Sequence, residues 1–213
     1  MTNPHDSGRV MADWDHQVVP GDAARPALLM LHGTGGDERE MISLGRSLAP
    51  GAALVAPRGP VSEGGMARFF RRSPSDPFGF PDLPERIDDL AAFVRAAVLE
   101  HALGDRPLYA VGYSNGANAA TALMVRHPGL LDGAVLLRGL LPTPVPESLD
   151  LSGVRVLAAP GRIDQLIPPA MAAELIDTLR GRGAEVTEAW SPGGHGLAQA
   201  DLDAASAWIA QPA

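Results

Sequence analysis

The stretch Pro107-Leu-Tyr-Ala-Val-Gly-Tyr-Ser-Asn-Gly-Ala117 decides the fold class of this chain. A continuous apolar run leads into a G-x-S-x-G motif, and small residues typical of a tightly packed helix follow it. Short apolar runs of this kind are typical of strands buried on both faces of a parallel sheet. A serine at the turn between such a strand and a helix is a candidate nucleophile, which here is Ser114. The alternative is a serine that only caps the following helix.

The two glycines of the motif have a physical reason. A tight turn crowds Ser114 against its neighbours, so we expect no room for a Cβ atom at Gly112 or Gly116. A helix that begins at Asn115 directs backbone N–H groups and the positive end of its dipole toward the nucleophile.

The same alternation of strand and helix extends along the rest of the chain. The apolar runs predict strands over 26–32, 52–57, 107–113, 134–137, 154–159 and 184–190, and helical spacing predicts helices over 38–48, 83–103, 115–127, 171–180 and 197–209. This order predicts an α/β fold with a mainly parallel sheet and helices on both faces. We expect a single domain over 1–213, with 1–10 as a loose N-terminal arm.

The connection 58–83 is unusually long and is rich in Gly, Pro, Arg and Phe. Loops of this length are usually functional or disordered, and Phe69 and Phe70 favour order. We expect the loop to form part of a pocket, with Phe69, Phe70 and Arg68 lining it. The alternative is that the segment around Arg68 is an ordinary solvated, ion-paired loop.

A serine hydroxyl needs a base and an orienting acid to act as a nucleophile. His195 lies on a glycine-rich loop after the last predicted strand, and Asp164 follows the strand that ends at Ala159. The chain order Ser114, Asp164, His195 is that of a known type of catalytic triad, and all three residues follow the C-terminal ends of strands. Structural roles in turns or caps are the alternatives for Asp164 and His195.

Two other acids are alternatives for the orienting role. Asp132 and Asp150 are the substitutes for Asp164, but neither directly follows an apolar strand.

The segment His32-Gly-Thr-Gly-Gly36 follows the first strong strand. We expect its Thr34 N–H, together with the N–H of Asn115, to form an oxyanion hole. His32 is expected to hold this loop in place. A phosphate-binding loop is disfavoured, because the chain has no lysine and lacks the G-x-G-x-x-G spacing.

The composition excludes several kinds of chemistry. The 213 residues include no cysteine, and all 17 basic residues are arginine, so disulfides, thiolate metal sites, cysteine nucleophiles and Schiff bases are excluded. The net charge of −8 argues against a nucleic-acid partner. The histidines lack the spacing typical of a metal site, so we expect no metal. With no signal-like or membrane-spanning segment, we expect a cytoplasmic protein without stable membrane insertion. The sequence is also compatible with a homodimer.

Five motifs together resemble the phospholipase/carboxylesterase group of α/β-hydrolases, relatives of the acyl-protein thioesterases. They are LHGTGGDE (31–38), GYSNGAN (112–118), LLRGLLP (136–142), PGRIDQLIP (160–168) and GGHGL (193–197), in register over 27–209. The resemblance implies a minimal α/β-hydrolase fold with little or no cap domain. It also implies cofactor-independent hydrolysis of small-molecule carboxylic esters by the triad Ser114, Asp164 and His195.

Two departures from the thioesterase pattern bear on the substrate. Asn115 stands where those proteins commonly have glutamine, and their SGxLP loop reads Arg138-Gly-Leu-Leu-Pro142 here. We therefore add Arg138 and Leu140 to the expected substrate-binding residues. An arginine beside the pocket disfavours a long alkyl chain. Arg68, Arg71, Arg72 and Arg138 indicate an anionic or polar feature of the substrate. The expected activity is that of a serine carboxylesterase. The alternatives are an acyl thioesterase, a lysophospholipase and a non-catalytic ligand-binding protein.

Overall fold

The computed structural model describes residues 10–212, so the expected N-terminal arm, 1–10, lies outside the described residues except for Val10. The strands are β1 (His16–Val19), β2 (Ala27–Leu31), β3 (Ala53–Pro57), β4 (Val61–Glu63), β5 (Met66–Arg68), β6 (Leu108–Tyr113), β7 (Gly133–Leu137), β8 (Arg155–Ala159) and β9 (Glu185–Glu188). The main helices are α1 (Glu38–Leu48), α2 (Leu83–Glu100), α3 (Asn115–Arg126), α4 (Pro169–Gly181) and α5 (Gln199–Ile209).

Seven of these strands form one sheet in the order β1-β3-β2-β6-β7-β8-β9. Every neighbouring pair is parallel except β1 with β3, which is antiparallel. The predicted α/β fold with a mainly parallel sheet is confirmed. Along the described chain no large domain is inserted as a cap.

Side chains alternate between the two faces of the sheet, and each face has its own core. In β2, Leu29 and Leu31 belong to the cluster that packs with α2, α3 and α4, whereas Leu28 and Met30 belong to the cluster that packs with α1 and α5. Burial on both faces is the reason why the strands are continuous apolar runs rather than alternating ones.

The structure adds two features that the sequence analysis did not predict. One is β1, a four-residue edge strand whose side chains are only partly buried, so its sequence has no strong apolar signal. The other is the β4–β5 hairpin, whose register Val61↔Arg68 lies inside the 58–83 connection. Three-residue strands are too short for periodicity to reveal them.

The carboxyl ends of the parallel strands meet at one edge of the sheet. The elbow after β6, the loop after β2 and the loop after β8 all lie there, which is where ligands bind in open α/β sheets. Among the helices of residues 10–212, none combines the length and the apolar character needed to cross a bilayer.

Candidate active site

Ser114 lies at the turn between β6 and α3, with φ 51° and ψ −112°. A Cβ atom at Gly116 would clash with the carbonyl of Leu31, and one at Gly112 would clash with the carbonyl of Gly116. The turn therefore requires both glycines, as the motif predicts. The Ser114 amide donates to the Leu137 carbonyl over 2.8 Å, which fixes the turn against β7.

The structure brings Ser114, His195 and Asp164 together although they are far apart in the chain. The His195 Nε2 atom lies 2.9 Å from Ser114 Oγ, and its Nδ1 atom lies 2.8 Å from Asp164 Oδ2. A carboxylate only accepts hydrogen bonds, so the assigned tautomer has the proton on Nδ1. Nε2 is then free to accept the Ser114 proton.

The Asp164 carboxylate is buried and held from both sides. Its Oδ1 atom accepts hydrogen bonds from the amides of Leu166 and Ile167 over 2.9 and 3.0 Å. Burial raises the pKa of this carboxyl, but the Ile167 amide, His195 and the Leu166 amide outweigh it, so the pKa lies below its ordinary value. Asp164 is thus an anion at neutral pH and can only accept from His195.

The two other acids lie elsewhere. Asp132 accepts a hydrogen bond from the Leu108 amide, at the start of β6 and so at the opposite end of that strand from Ser114. Asp150 is exposed and accepts from the amide of Ser152. Neither contacts His195.

Two backbone amides are available for an oxyanion. Within residues 10–212, neither the Thr34 N–H nor the Asn115 N–H has a hydrogen-bond acceptor, and both residues line the same cavity as Ser114. Asn115 is the first residue of α3, where the helix leaves its N–H groups unpaired. Both amides are therefore free to bind a developing negative charge.

His32 holds the loop that carries Thr34. Its Nδ1 atom lies 2.7 Å from the Gly33 carbonyl, and its Nε2 atom accepts from the Gly59 amide over 2.8 Å. Burial lowers the pKa of His32 below its ordinary value, although the Gly33 carbonyl opposes the shift. The neutral imidazole, protonated on Nδ1, is the form that satisfies both contacts.

The cavity next to Ser114 has a volume of about 270 Å³. The lining combines apolar and polar side chains, and both arginines in it come from the 58–83 connection. Its lining comprises Thr34, Arg68, Arg72, Pro77, Phe78, Phe80, Ser114, Asn115, Asn118, Leu140, Gln165, Leu166, Ile167 and His195. Leu140 and Arg68 thus lie where the sequence analysis expects them.

Phe69 and Phe70 are ordered, but they do not line this cavity. Both are almost fully buried in the core, where Phe69 packs on His32 and Phe70 packs edge-on against Phe80. The expectation that they form the pocket wall is corrected: Phe78 and Phe80 take that place. After β5 the chain turns into the core, and the wall is built by the following residues.

Arg138 also lies outside the cavity. It is fully buried and pairs with Asp201 over 2.7 Å. Its guanidinium donates to the carbonyls of Gly194 and Gly196, which flank His195, and to that of Ala159. The expected contact of Arg138 with substrate is corrected, because all of these partners belong to the protein. Arg138 instead holds the loop that carries His195.

Several residues around the site were not predicted from the sequence, among them Phe78, Phe80, Tyr113, Asn118 and Asp201. Tyr113 packs against the His195 ring and donates to the His195 carbonyl over 3.2 Å. Asn118 lines the cavity and accepts from the Leu140 amide, and Asp201 pairs with Arg138. Tyr113 and Asn118 lie within or just after the G-x-S-x-G motif, so their positions were a usable signal. Asp201 pairs with a residue 63 positions earlier in the chain, so the local sequence contains no signal for this contact.

The arrangement can generate a nucleophile at Ser114 and stabilise an oxyanion next to it. Among the residues that the structure describes, no group of three or more His, Asp or Glu side chains is placed to hold a metal ion.

Comparison with known proteins places the chain among hydrolases. Residues 26–174 match the family described as alpha/beta hydrolase fold. MhqD of Bacillus subtilis (strain 168), which is named as a hydrolase, is 39% identical over 85% of this chain and 90% of its own length.

Two solved structures extend the similarity over nearly the whole chain. The carboxylesterase of Bacillus cereus is 33% identical with a TM-score of 0.88, and covers 96% of this chain and 98% of its own. The carboxylesterase of Mesorhizobium loti is 34% identical with a TM-score of 0.83, and covers 93% of this chain and 95% of its own.

Proposed function

The chain belongs to the alpha/beta hydrolase fold family, and from this membership we propose that it is a serine carboxylesterase that works through an acyl-enzyme on Ser114. The observation that carries the proposal is the chain of hydrogen bonds from Ser114 Oγ through His195 to Asp164. The carboxylesterases to which the chain is similar support the choice of esters as substrates.

In the first half of the reaction, Ser114 Oγ attacks the carbonyl carbon of the ester while its proton moves to His195 Nε2. The carbonyl oxygen becomes an oxyanion, which accepts hydrogen bonds from the amides of Thr34 and Asn115. Asp164 stabilises the imidazolium that forms. When the tetrahedral intermediate breaks down, the C–O bond to the alcohol breaks and His195 gives its proton to the leaving oxygen.

In the second half, water takes the place of the alcohol. His195 Nε2 accepts a proton from the water as the water oxygen attacks the carbonyl carbon of the acyl group on Ser114. The second intermediate releases the carboxylic acid and returns the proton to Ser114 Oγ. Ester and water thus give acid and alcohol, and the protein ends unchanged.

The test uses substitution and labelling of the same residue. Ser114→Ala removes the nucleophile, so we expect kcat for p-nitrophenyl butyrate to fall by about 10⁴-fold or more. An organophosphonate should phosphonylate Ser114 Oγ with loss of its leaving group, which adds the mass of the phosphonyl group to the peptide that contains Ser114 in the unsubstituted protein.

The exposed Ser62 offers a matched control. Ser62→Ala should keep both its kcat and its labelling by the organophosphonate. Full esterase activity in Ser114→Ala, or labelling at another residue, would overturn the proposal.

A further inference from the structure

The polar lining of the cavity consists of hydrogen-bond donors more than acceptors. Asn115 Oδ1 accepts from the Phe69 amide over 2.8 Å, and Asn118 Oδ1 accepts from the Leu140 amide over 2.9 Å. These contacts fix the orientation of both side-chain amides. The NH₂ groups are then the hydrogen-bonding groups of the two side chains that these contacts do not use. Asn115 Nδ2 is buried without a hydrogen-bond partner within residues 10–212.

An unpaired buried donor costs free energy unless something fills its place. Asn115 lines the cavity, but its Nδ2 atom is enclosed by protein, so a bound molecule reaches this donor only if neighbouring side chains move.

Arg68 adds a buried positive charge to the lining of the cavity. Its side chain is only 3% exposed, and it donates from Nη1 to Thr34 Oγ1 over 2.7 Å and from Nε to the Phe70 carbonyl over 3.1 Å. Nη2 donates no hydrogen bond in the described part of the chain, and it is not among the enclosed atoms. Arg68 lines the cavity, and Nη2 is the one guanidinium nitrogen that has no hydrogen-bond partner among the described residues.

A second arginine lies close to the first. Arg72 lines the cavity, and between 10 and 212 no carboxylate lies within ion-pair distance of its guanidinium. Burial and the positive charge of Arg72 lower the pKa of Arg68, against the opposing effects of Glu63 and Asp82.

The negative charges near this pair are already engaged. Glu63 lies 3.3 Å from Arg68 Nε and also accepts from the Arg72 amide, whereas Asp82 accepts from the Arg71 amide and faces Arg86. In the described part of the chain, no Asp or Glu lines the cavity. Two arginines therefore line the cavity, and among the described residues Glu63 is the one carboxylate within ion-pair distance of either guanidinium.

We propose that the substrate of this hydrolase carries an anionic oxygen group, a carboxylate or a phosphate, which binds Arg68 and Arg72 next to the site of acyl transfer. This inference rests on the proposed esterase function and names its substrate class. Guanidinium groups match the geometry of both anions. The apolar side chains of Phe78, Phe80 and Leu166 in the lining would contact the carbon chain or ring that lies between the ester and the anion.

The experiment compares kcat/KM within three pairs of esters that differ mainly in charge. The first pair is the p-nitrophenyl monoester of adipic acid and p-nitrophenyl hexanoate, with the anion on the acyl side. The second is 4-acetoxybenzoate and its methyl ester, with the anion on the alcohol side. The third is 1-butyrylglycerol 3-phosphate and 1-butyrylglycerol, which separates phosphate from carboxylate.

We expect the protein to prefer the anionic member of at least one pair. Arg72→Gln should lower that preference, the ratio of the two kcat/KM values, by about fivefold, and added salt should weaken it. Arg68→Gln also loses the contact to Thr34, so both rates should fall, with a larger fall for the anionic ester. The exposed neighbour Arg71 lies outside the cavity lining, and Arg71→Gln should leave the preference unchanged.

The possible failures are distinguishable. A preference for the neutral ester in every pair, or a preference that Arg68→Gln and Arg72→Gln leave unchanged, overturns this inference while hydrolysis and labelling of Ser114 still support the esterase. If neither member of any pair is hydrolysed and Ser114 is not labelled, the proposed function itself fails.

Discussion

Ser114 shows how much of the site depends on the conformation of single residues. Its φ of 51° lies in the left-handed region, where a non-glycine residue costs about 1–3 kcal/mol. The hydrogen bond from its amide to Leu137 and the close packing of Gly116 on Leu31 hold it there. This conformation places Oγ within 2.9 Å of His195 Nε2, so the strained turn serves the candidate nucleophile.

The role of Asp164 can be tested by substitution, because its charge fixes the tautomer of His195. In Asp164→Asn, an amide replaces the carboxylate, and its NH₂ group can donate to Nδ1 and move the imidazole proton to Nε2. We expect kcat for p-nitrophenyl butyrate to fall by about 10³–10⁴-fold with little change in the melting temperature.

Asp150→Asn is the matched control, because Asp150 is exposed and does not contact His195. It should retain the kcat of the unsubstituted protein. A loss in Asp150→Asn that equals the loss in Asp164→Asn would contradict the assignment of the acid.

At the scale of elements, Arg138 ties together the ends of two strands, a loop and a helix. It follows β7, contacts the end of β8 at Ala159, holds the loop that carries His195, and pairs with Asp201 in the first turn of α5. Asp201 also accepts from the Ala198 amide just before α5. The position of His195 therefore depends on a buried ion pair that touches no substrate-facing surface.

This ion pair predicts a large effect on stability. Arg138→Gln leaves the Asp201 carboxylate buried without its partner, so the free energy of unfolding should fall by about 3–5 kcal/mol in urea denaturation. In the folded protein, kcat should fall as well, because the His195 loop loses its contacts at Gly194 and Gly196.

The surface pair of Arg126 with Asp88 supplies the comparison. Arg126→Gln should change the free energy of unfolding by no more than about 1 kcal/mol, since exposed ion pairs contribute little. Equal losses in the two variants would show that the burial of Arg138 does not matter.

At the scale of the whole molecule, the two cores on either side of the sheet hold the site at one edge. The protein has a net charge of −8, yet the cavity has two arginines and, among the described residues, no acid in its lining. The charge of the whole chain therefore says little about the charge of the site. The local potential is set by which side chains the fold brings to the cavity.

Stability as a function of pH is a property of the whole molecule to which His32 contributes. Burial lowers the pKa of His32 in the folded state, so below its ordinary value of 6.5 the unfolded chain binds a proton that the folded chain does not. The free energy of unfolding should therefore fall as the pH decreases below 6.5, by up to about 1.4 kcal/mol per pH unit.

Urea denaturation at several pH values checks this slope. His32→Gln should reduce it, whereas His101→Gln, at an exposed position, should leave it unchanged. The carboxyls with lowered pKa, such as Asp164 and Glu38, have ordinary values of 3.8 and 4.5, so their losses lie mainly at lower pH. A slope that persists in His32→Gln would refute the role of this histidine.

The predictable parts of the fold and of the site share one physical property: their signals are local. Buried strands are continuous apolar runs, and the elbow around Ser114 requires glycines at fixed spacing, so both could be predicted from the sequence. The edge strand β1 and the β4–β5 hairpin were missed, because short and half-buried strands have weak apolar patterns.

The sequence by itself determined the α/β-hydrolase fold and the candidates Ser114, Asp164 and His195, since each follows a recognisable strand. Only the tertiary structure decided which side chains face the cavity. Arg68 lines it, whereas Phe69 and Arg138 are enclosed by protein partners. The reason is that burial and ion pairing depend on contacts between residues far apart in the chain, and neither spacing nor composition records those contacts.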